Sequence, residues 1–216
     1  MLKLPKNTEF NKRIPKQKLY ENLDIAPSLK KSFIDDIDAI YWRNKISKDT
    51  INLEEGEEVK EIQVFLIELK KEKFDENILL QIDRQIPYHI VYILKFDDRY
   101  KLAIGYKEES LSGSNHFKVT SYYYSEWMNK NDLDINIRGL NLDKVYENLL
   151  IDIGEERLEK KPSEDISKAV ARDKKVQEIN KKIDKLIKKR KKTKQLKKQM
   201  KINDEIRMLK SELKKI

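Results

Sequence analysis

The 216-residue chain has no cysteine and only two histidines, His89 and His116. Without thiols there is neither a disulfide framework nor a thiolate metal site. Two histidines exclude a His-rich zinc centre, and no cofactor is expected. Glycine and proline number five each, a scarcity that favours long regular elements over a loop-rich fold. Gly105, Gly113, Gly139 and Gly154 stand isolated, so no glycine-rich phosphate loop is present and ATP hydrolysis is not expected. No apolar run approaches the roughly 20 residues that span a bilayer. The start, MLKLPKNTEF, has no apolar signal core. The expectation is a soluble cytoplasmic protein with no membrane partner.

What the chain has is charge, unevenly placed. It carries 47 Lys+Arg and 38 Asp+Glu. From Ser163 to Ile216 there are 20 basic and 8 acidic residues, a net of +12; Met1–Pro162 keeps 27 and 30, a net of −3. A slightly acidic body is joined to a strongly basic tail, and that asymmetry points to polyanionic partners more directly than the overall +9 does.

Hydrophobic spacing divides the body into elements. Met1–Tyr20 is basic and polar, broken by Pro5 and Pro15. Leu29, Phe33, Ile34, Ile37 and Ile40 predict a helix over Pro27–Ile40, opened by Pro27. Strands are predicted over Ala39–Ile46, Val59–Leu69, His89–Lys95, Tyr100–Tyr106 and Phe117–Tyr124, with Thr50–Leu53 a further candidate. Gly105 is a candidate bulge, and Ser110–Asn115 reads as a loop. The nearly continuous apolar run HIVYILK predicts a central strand covered on both faces. Helices are predicted over Phe74–Gln85, stopped at Ile86-Pro87, and over Leu142–Ile153, ended by Gly154. The predicted class is α+β or α/β, a mixed sheet with packed helices over residues 1–154, a charged linker over 155–162, and a basic helical segment over 163–216.

The tail contains neither Gly nor Pro. Val176, Ile179, Ile183 and Leu186 form one coiled-coil seam; Ile202, Ile206, Leu209, Leu213 and Ile216 form another. The registers do not join: continuing the first puts Arg190, Thr193 and Lys197 on the seam. The failure falls within Lys185–Lys201, which holds ten Lys+Arg and no acid. One helix of roughly 80 Å, a hairpin bent near Lys191–Gln195, or a helix straightened by a partner or by dimerisation fits, and the hairpin is favoured because it buries both seams without a partner. A solvated helix face, contact with phosphates and docking onto an acidic protein are three readings of the basic run. Under the phosphate reading, Lys188, Lys189, Arg190, Lys191, Lys192 and Lys194 are the contacts, and the absence of Arg forks and interleaved aromatics implies non-specific binding.

Chemistry in the body is sparsely signalled. Glu68-Leu69-Lys70 closes the strongest strand. An acid and a lysine two apart share a strand face, where the acid can hold a divalent ion and the lysine polarise water, as in nucleases with a restriction-endonuclease-like core. That pattern needs a second acid; Asp49, Glu54 and Glu55 are loosely placed for it, and no Pro-Asp pair precedes. Glu68 and Lys70 are thus the catalytic candidates, against the reading of a solvated strand end. Tyr122-Tyr123-Tyr124 with Trp127, and Tyr41-Trp42-Arg43, offer stacking surfaces or ordinary core faces. His89 reads as a structural histidine.

The segments IYWRNKIS (Ile40–Ser47), TINL (Thr50–Leu53), EIQVFLIELK (Glu61–Lys70) and IDRQIPYHIVYIL (Ile82–Leu94), with the tail from Ala169, resemble a bacterial family catalogued as a domain of unknown function. The match covers most of the chain, and IDxxIPYxI (Ile82–Ile90) is its most distinctive part. Members are encoded beside DNA methyltransferases and large helicases in restriction-like antiphage loci. The resemblance implies an accessory role in modification, restriction or phage defence, and carries no catalytic residues. The leading expectation is a non-catalytic subunit that docks a helicase or methyltransferase and meets DNA or other nucleic acid through its tail. A metal-dependent nuclease and a structural protein that homodimerises through the tail are the alternatives.

Overall fold

Pairing between β-branched strands organises the first part of the chain. A computed structural model describes residues 4–21, 25–109, 117–161 and 164–216. The chain forms two compact units, Met1–Arg157 and Leu158–Ile216. In the first, the described elements run β1 (Glu9–Ile14), α1 (Pro27–Asp36), β2 (Ile37–Ser47), β3 (Glu61–Leu69), α2 (Asn77–Gln85), β4 (His89–Phe96), β5 (Arg99–Glu109), β6 (Phe117–Tyr124), β7 (Met128–Asn129) and α3 (Leu142–Gly154). The sheet order is β1-β2-β3-β4-β5-β6, with β7 also on β5. Every pairing is antiparallel except β3 with β4, which α2 connects as a crossover. The fold is mixed α+β.

Both faces of the sheet are covered, so β4 is buried through its first six residues. Ile40, Phe65, Ile67, Ile90, Tyr92 and Leu94 face α1 and α2, meeting Phe33, Ile78, Leu79 and Ile82. Residues of the other parity, among them Ile62, Val64, Val91, Ile93 and Ile104, are also buried. α3 packs against β3, β5 and β6, presenting Val145, Tyr146, Leu149 and Leu150.

Boundaries depart from expectation where pairing overrides periodicity. The predicted helix over Pro27–Ile40 ends at Asp36, because Ile37 pairs with Leu69 and Ile40 with Ile67. Thr50–Leu53 is not a strand: Thr50 closes a turn, its hydroxyl accepting from Ser47 N at 2.9 Å and donating to the Lys45 carbonyl at 2.8 Å. The β5–β6 register shifts between Tyr106 and Lys107 rather than at Gly105. β1 and β7 were not expected. The Ser110–Asn115 loop, His116 and Ser163 lie outside the described residues.

α3 begins with two devices. Asn141 caps it, its side chain accepting from Lys144 N at 3.0 Å. Asp143, in the positive first turn, accepts from the backbone amides of Glu57, Glu58 and Val59 at 2.7, 3.3 and 2.8 Å. The loop can seat there because residue 56 is glycine: a Cβ at Gly56 would stand 1.9 Å from Asp143 Oδ1.

The second unit is a helical hairpin, α4 (Ile166–Lys192) against α5 (Leu196–Leu213). α4 starts from Asp165, whose side chain accepts from Ser167 N at 2.8 Å. Ile179, Ile183, Ile202 and Ile206 form its core, flanked by Leu186, Ile187, Leu209, Leu213 and Ile216. The two seams that do not join in sequence thus meet in space. The bend needs neither Gly nor Pro. Thr193 is extended, its hydroxyl donating to the Lys189 carbonyl at 2.8 Å, and Gln199 Nε2 donates to the Thr193 carbonyl at 2.6 Å. Side chains close the turn that a glycine would otherwise relax.

Candidate nucleic-acid interface

The hairpin brings cations from two helices to one end. The C-terminus of α4 and the N-terminus of α5 flank the turn at Thr193–Gln195, so the acid-free stretch Lys185–Lys201 is folded back on itself. Lys188, Lys189, Lys191, Lys192 and Lys194 are exposed; Arg190 is half-buried and donates across the hairpin to Asn203 Oδ1 at 2.9 Å. The lysines of α4 sit at a helix C-terminus, where the dipole favours positive charge. Lys197 and Lys198 open α5 at the opposite pole, where it does not, and no side chain caps that helix. Of the six residues expected to contact phosphate, five can turn to a ligand freely and the sixth is tied to the partner helix. The arrangement concentrates positive potential on a surface with no base-reading geometry.

The body holds a polar centre that sequence reasoning missed. Asp83 on α2 and Lys107 on β5 pair at 2.9 Å with side chains only 1% exposed. The Tyr122 hydroxyl donates to Asp83 Oδ2, and Lys107 Nζ donates to the Tyr88 carbonyl. Burial pushes Asp83 up and Lys107 down from their ordinary values, each opposed by the partner's charge. Burial and then Asp83 raise the Tyr122 hydroxyl, so it stays a donor. His89 is buried, edge-on to Tyr146 with ring centroids 4.3 Å apart. Burial, reinforced by Lys107, lowers its pKa to about 3, so it is neutral at physiological pH. Tyr146 in turn donates to the Gly105 carbonyl and accepts from Lys107 N, at the bulge. The sequence did carry one sign of this centre: Asp83 falls four residues after Leu79, inside the apolar stripe of α2.

Glu68 and Lys70 serve different partners. In the parallel register Glu68 lies opposite Lys95 and pairs with it at 3.0 Å. The strand ends at Leu69, and Lys70 Nζ donates to the Ile34 carbonyl at 2.8 Å. The acid next to this turn, Asp36, binds Lys71 at 2.7 Å and accepts from Asp75 N. Among the described residues no group of three His, Cys, Asp or Glu is arranged to hold a metal ion.

Strand alternation splits the tyrosine run. Tyr123 is fully buried with the Arg157 guanidinium 5.2 Å from its ring. Tyr122 joins the Asp83 centre, and Tyr124 lines a surface cleft with Trp127. Trp42 stacks on Phe10 with centroids 4.3 Å apart and donates to the Asn44 carbonyl. No helix among the described residues is long and apolar enough to cross a membrane.

Neither a curated protein nor a solved structure matches the chain. One family profile does, a domain of unknown function (DUF4391), over residues 2–213. That match takes in both the sheet domain with its Asp83 centre and the basic hairpin, and on it the chain belongs to the DUF4391 family.

Proposed function

We propose that the protein is a non-catalytic accessory subunit of a DNA modification, restriction or antiphage complex, gripping nucleic acid through the tip of its basic hairpin. The observation that carries this reading is the tip itself, ten cations without an acid folded onto one end of the hairpin. Phosphate backbones are the partner that rewards such density, because each phosphate neutralised releases condensed counterions. The docking of the body onto a helicase or methyltransferase rests on the family resemblance, and on a body whose net charge of −3 gives it no broad positive field to draw in a duplex.

The test is duplex-DNA binding by the full chain across a salt series. Log affinity should fall linearly with log salt. Replacing Lys188, Lys189, Arg190, Lys191, Lys192 and Lys194 with Gln should flatten that slope by up to about 5, at roughly 0.9 per phosphate contact. Unchanged affinity in the six-fold variant would refute the reading.

A further inference from the structure

A cleft of about 400 Å³ opens on the body between the loop before α2, strands β4–β6 and Trp127 just after β6, within the size range of small-ligand sites. Its aromatic wall is Phe74, Tyr124 and Trp127, with Leu94 at its base. Cations and rings alternate along that wall. Arg99 lies 6.0 Å from the Phe96 ring and 5.4 Å from Trp127; Lys101 lies 5.6 Å from Trp127 and 5.7 Å from Tyr124. Arg99 is held by Glu72 at 3.0 Å. Lys101 is not: among the described residues its ammonium meets only ring faces, and Lys73 on the opposite lip has no carboxylate either. On the same lip stands Glu76, beside the Tyr124 hydroxyl.

We propose that this cleft binds a nucleoside phosphate unit, its base against Tyr124 and Trp127 and its phosphate on Lys101 and Lys73. Ring faces are a weak tether for an exposed ammonium, so Lys101 can turn to a phosphate and leave the faces to a base. Stacking on aromatic side chains tolerates any base. Glu76 accepts hydrogen bonds and so can hold an amino or imino N–H on a base's edge, while the larger stacking face of a purine favours adenine over thymine or uracil on the rings. The unit is either a free nucleotide or one residue of a single strand; both present the same chemistry. The cleft lies wholly in the sheet domain, so the proposal stands independently of the hairpin.

Ligand-observed NMR and equilibrium dialysis with the full chain test this, using AMP, TMP, ribose 5-phosphate and a short deoxyadenosine oligonucleotide. The oligonucleotide is assayed on the six-fold Gln variant, which removes the hairpin tip's contribution. Saturation transfer to the adenine protons is expected, with AMP bound more tightly than TMP. Trp127→Leu and Lys101→Gln should each weaken binding by roughly tenfold or more. Trp127 also packs on the core, so Lys101→Gln, on a half-exposed side chain, decides the matter if the Trp127 variant is unstable. Binding of AMP identifies a free-nucleotide site; binding of the oligonucleotide alone identifies a strand-binding site. Ribose 5-phosphate binding as well as AMP, no binding of any probe, or an unchanged Lys101→Gln would each overturn the proposal.

Discussion

At the scale of single residues, two buried groups set how the body tolerates change. The Asp83–Lys107 pair is out of water, so removing one partner leaves an uncompensated charge. Asp83→Asn should cost about 3–5 kcal/mol in urea denaturation, while replacing both, Asp83→Leu with Lys107→Met, should recover much of that loss. His89 gives the body a pH dependence. Its pKa falls from an ordinary 6.5 to about 3 on folding, so between those values the unfolded chain binds the extra proton. The neutral imidazole's contribution is complete above pH 6.5 and is lost as pH falls toward 3, with a slope of up to about 1.4 kcal/mol per pH unit. His89→Phe, which keeps an aromatic edge against Tyr146, should flatten stability against pH in that window; a slope equal to the parent's would assign the acid sensitivity elsewhere. His89 was legible as a structural histidine from its place at a strand start. The Asp83–Lys107 pair was not: Asp83 falls in the apolar stripe of α2, but its partner lies on a separate element and nothing local ties the two together.

At the scale of elements, what could be read depended on whether local pattern and tertiary pairing agree. β4 agrees: its unbroken apolar run demands cover on both faces and receives it. β1 does not. Its sequence, EFNKRI, is mostly exposed, with Asn11 at positive φ and a register shift between Glu9 and Lys12, the marks of a protected edge strand. Nothing in its own residues signals a strand; β2 recruits it. The hairpin was legible because two good seams with incompatible registers cannot lie on one straight stripe. Its bend falls at Thr193–Gln195, inside the expected Lys191–Gln195, although the turn relies on Thr193 and Gln199 side chains instead of glycine. Ile183 and Ile206 sit in the centre of the seam. Ile183→Ala should destabilise the hairpin by about 2–4 kcal/mol, read as an earlier loss of helical circular dichroism on heating, whereas Lys189→Ala on the exposed face should leave the melt within about 0.5 kcal/mol of the parent.

At the scale of the whole molecule, the two units divide the charge between them. Binding that rests on phosphates alone should respond to the number of phosphates and to salt, and hardly to sequence; equal-length duplexes of unrelated sequence should bind the hairpin within a small factor of one another. A marked preference for one sequence would require base contacts that the tip does not offer. Molecular assembly has an order as well. The Asp143 clasp joins α3 to backbone amides 84 to 86 residues earlier. On a ribosome adding roughly 5–20 residues per second, the loop after β2 therefore waits roughly 4–17 s between its own synthesis and that of its anchor. Through that interval the nascent sheet has strands but no lock on its β2–β3 connection. Gly56 leaves room for a late-arriving carboxylate, and a bulkier residue there would bar the last step of the body's closure, after every strand had already been made.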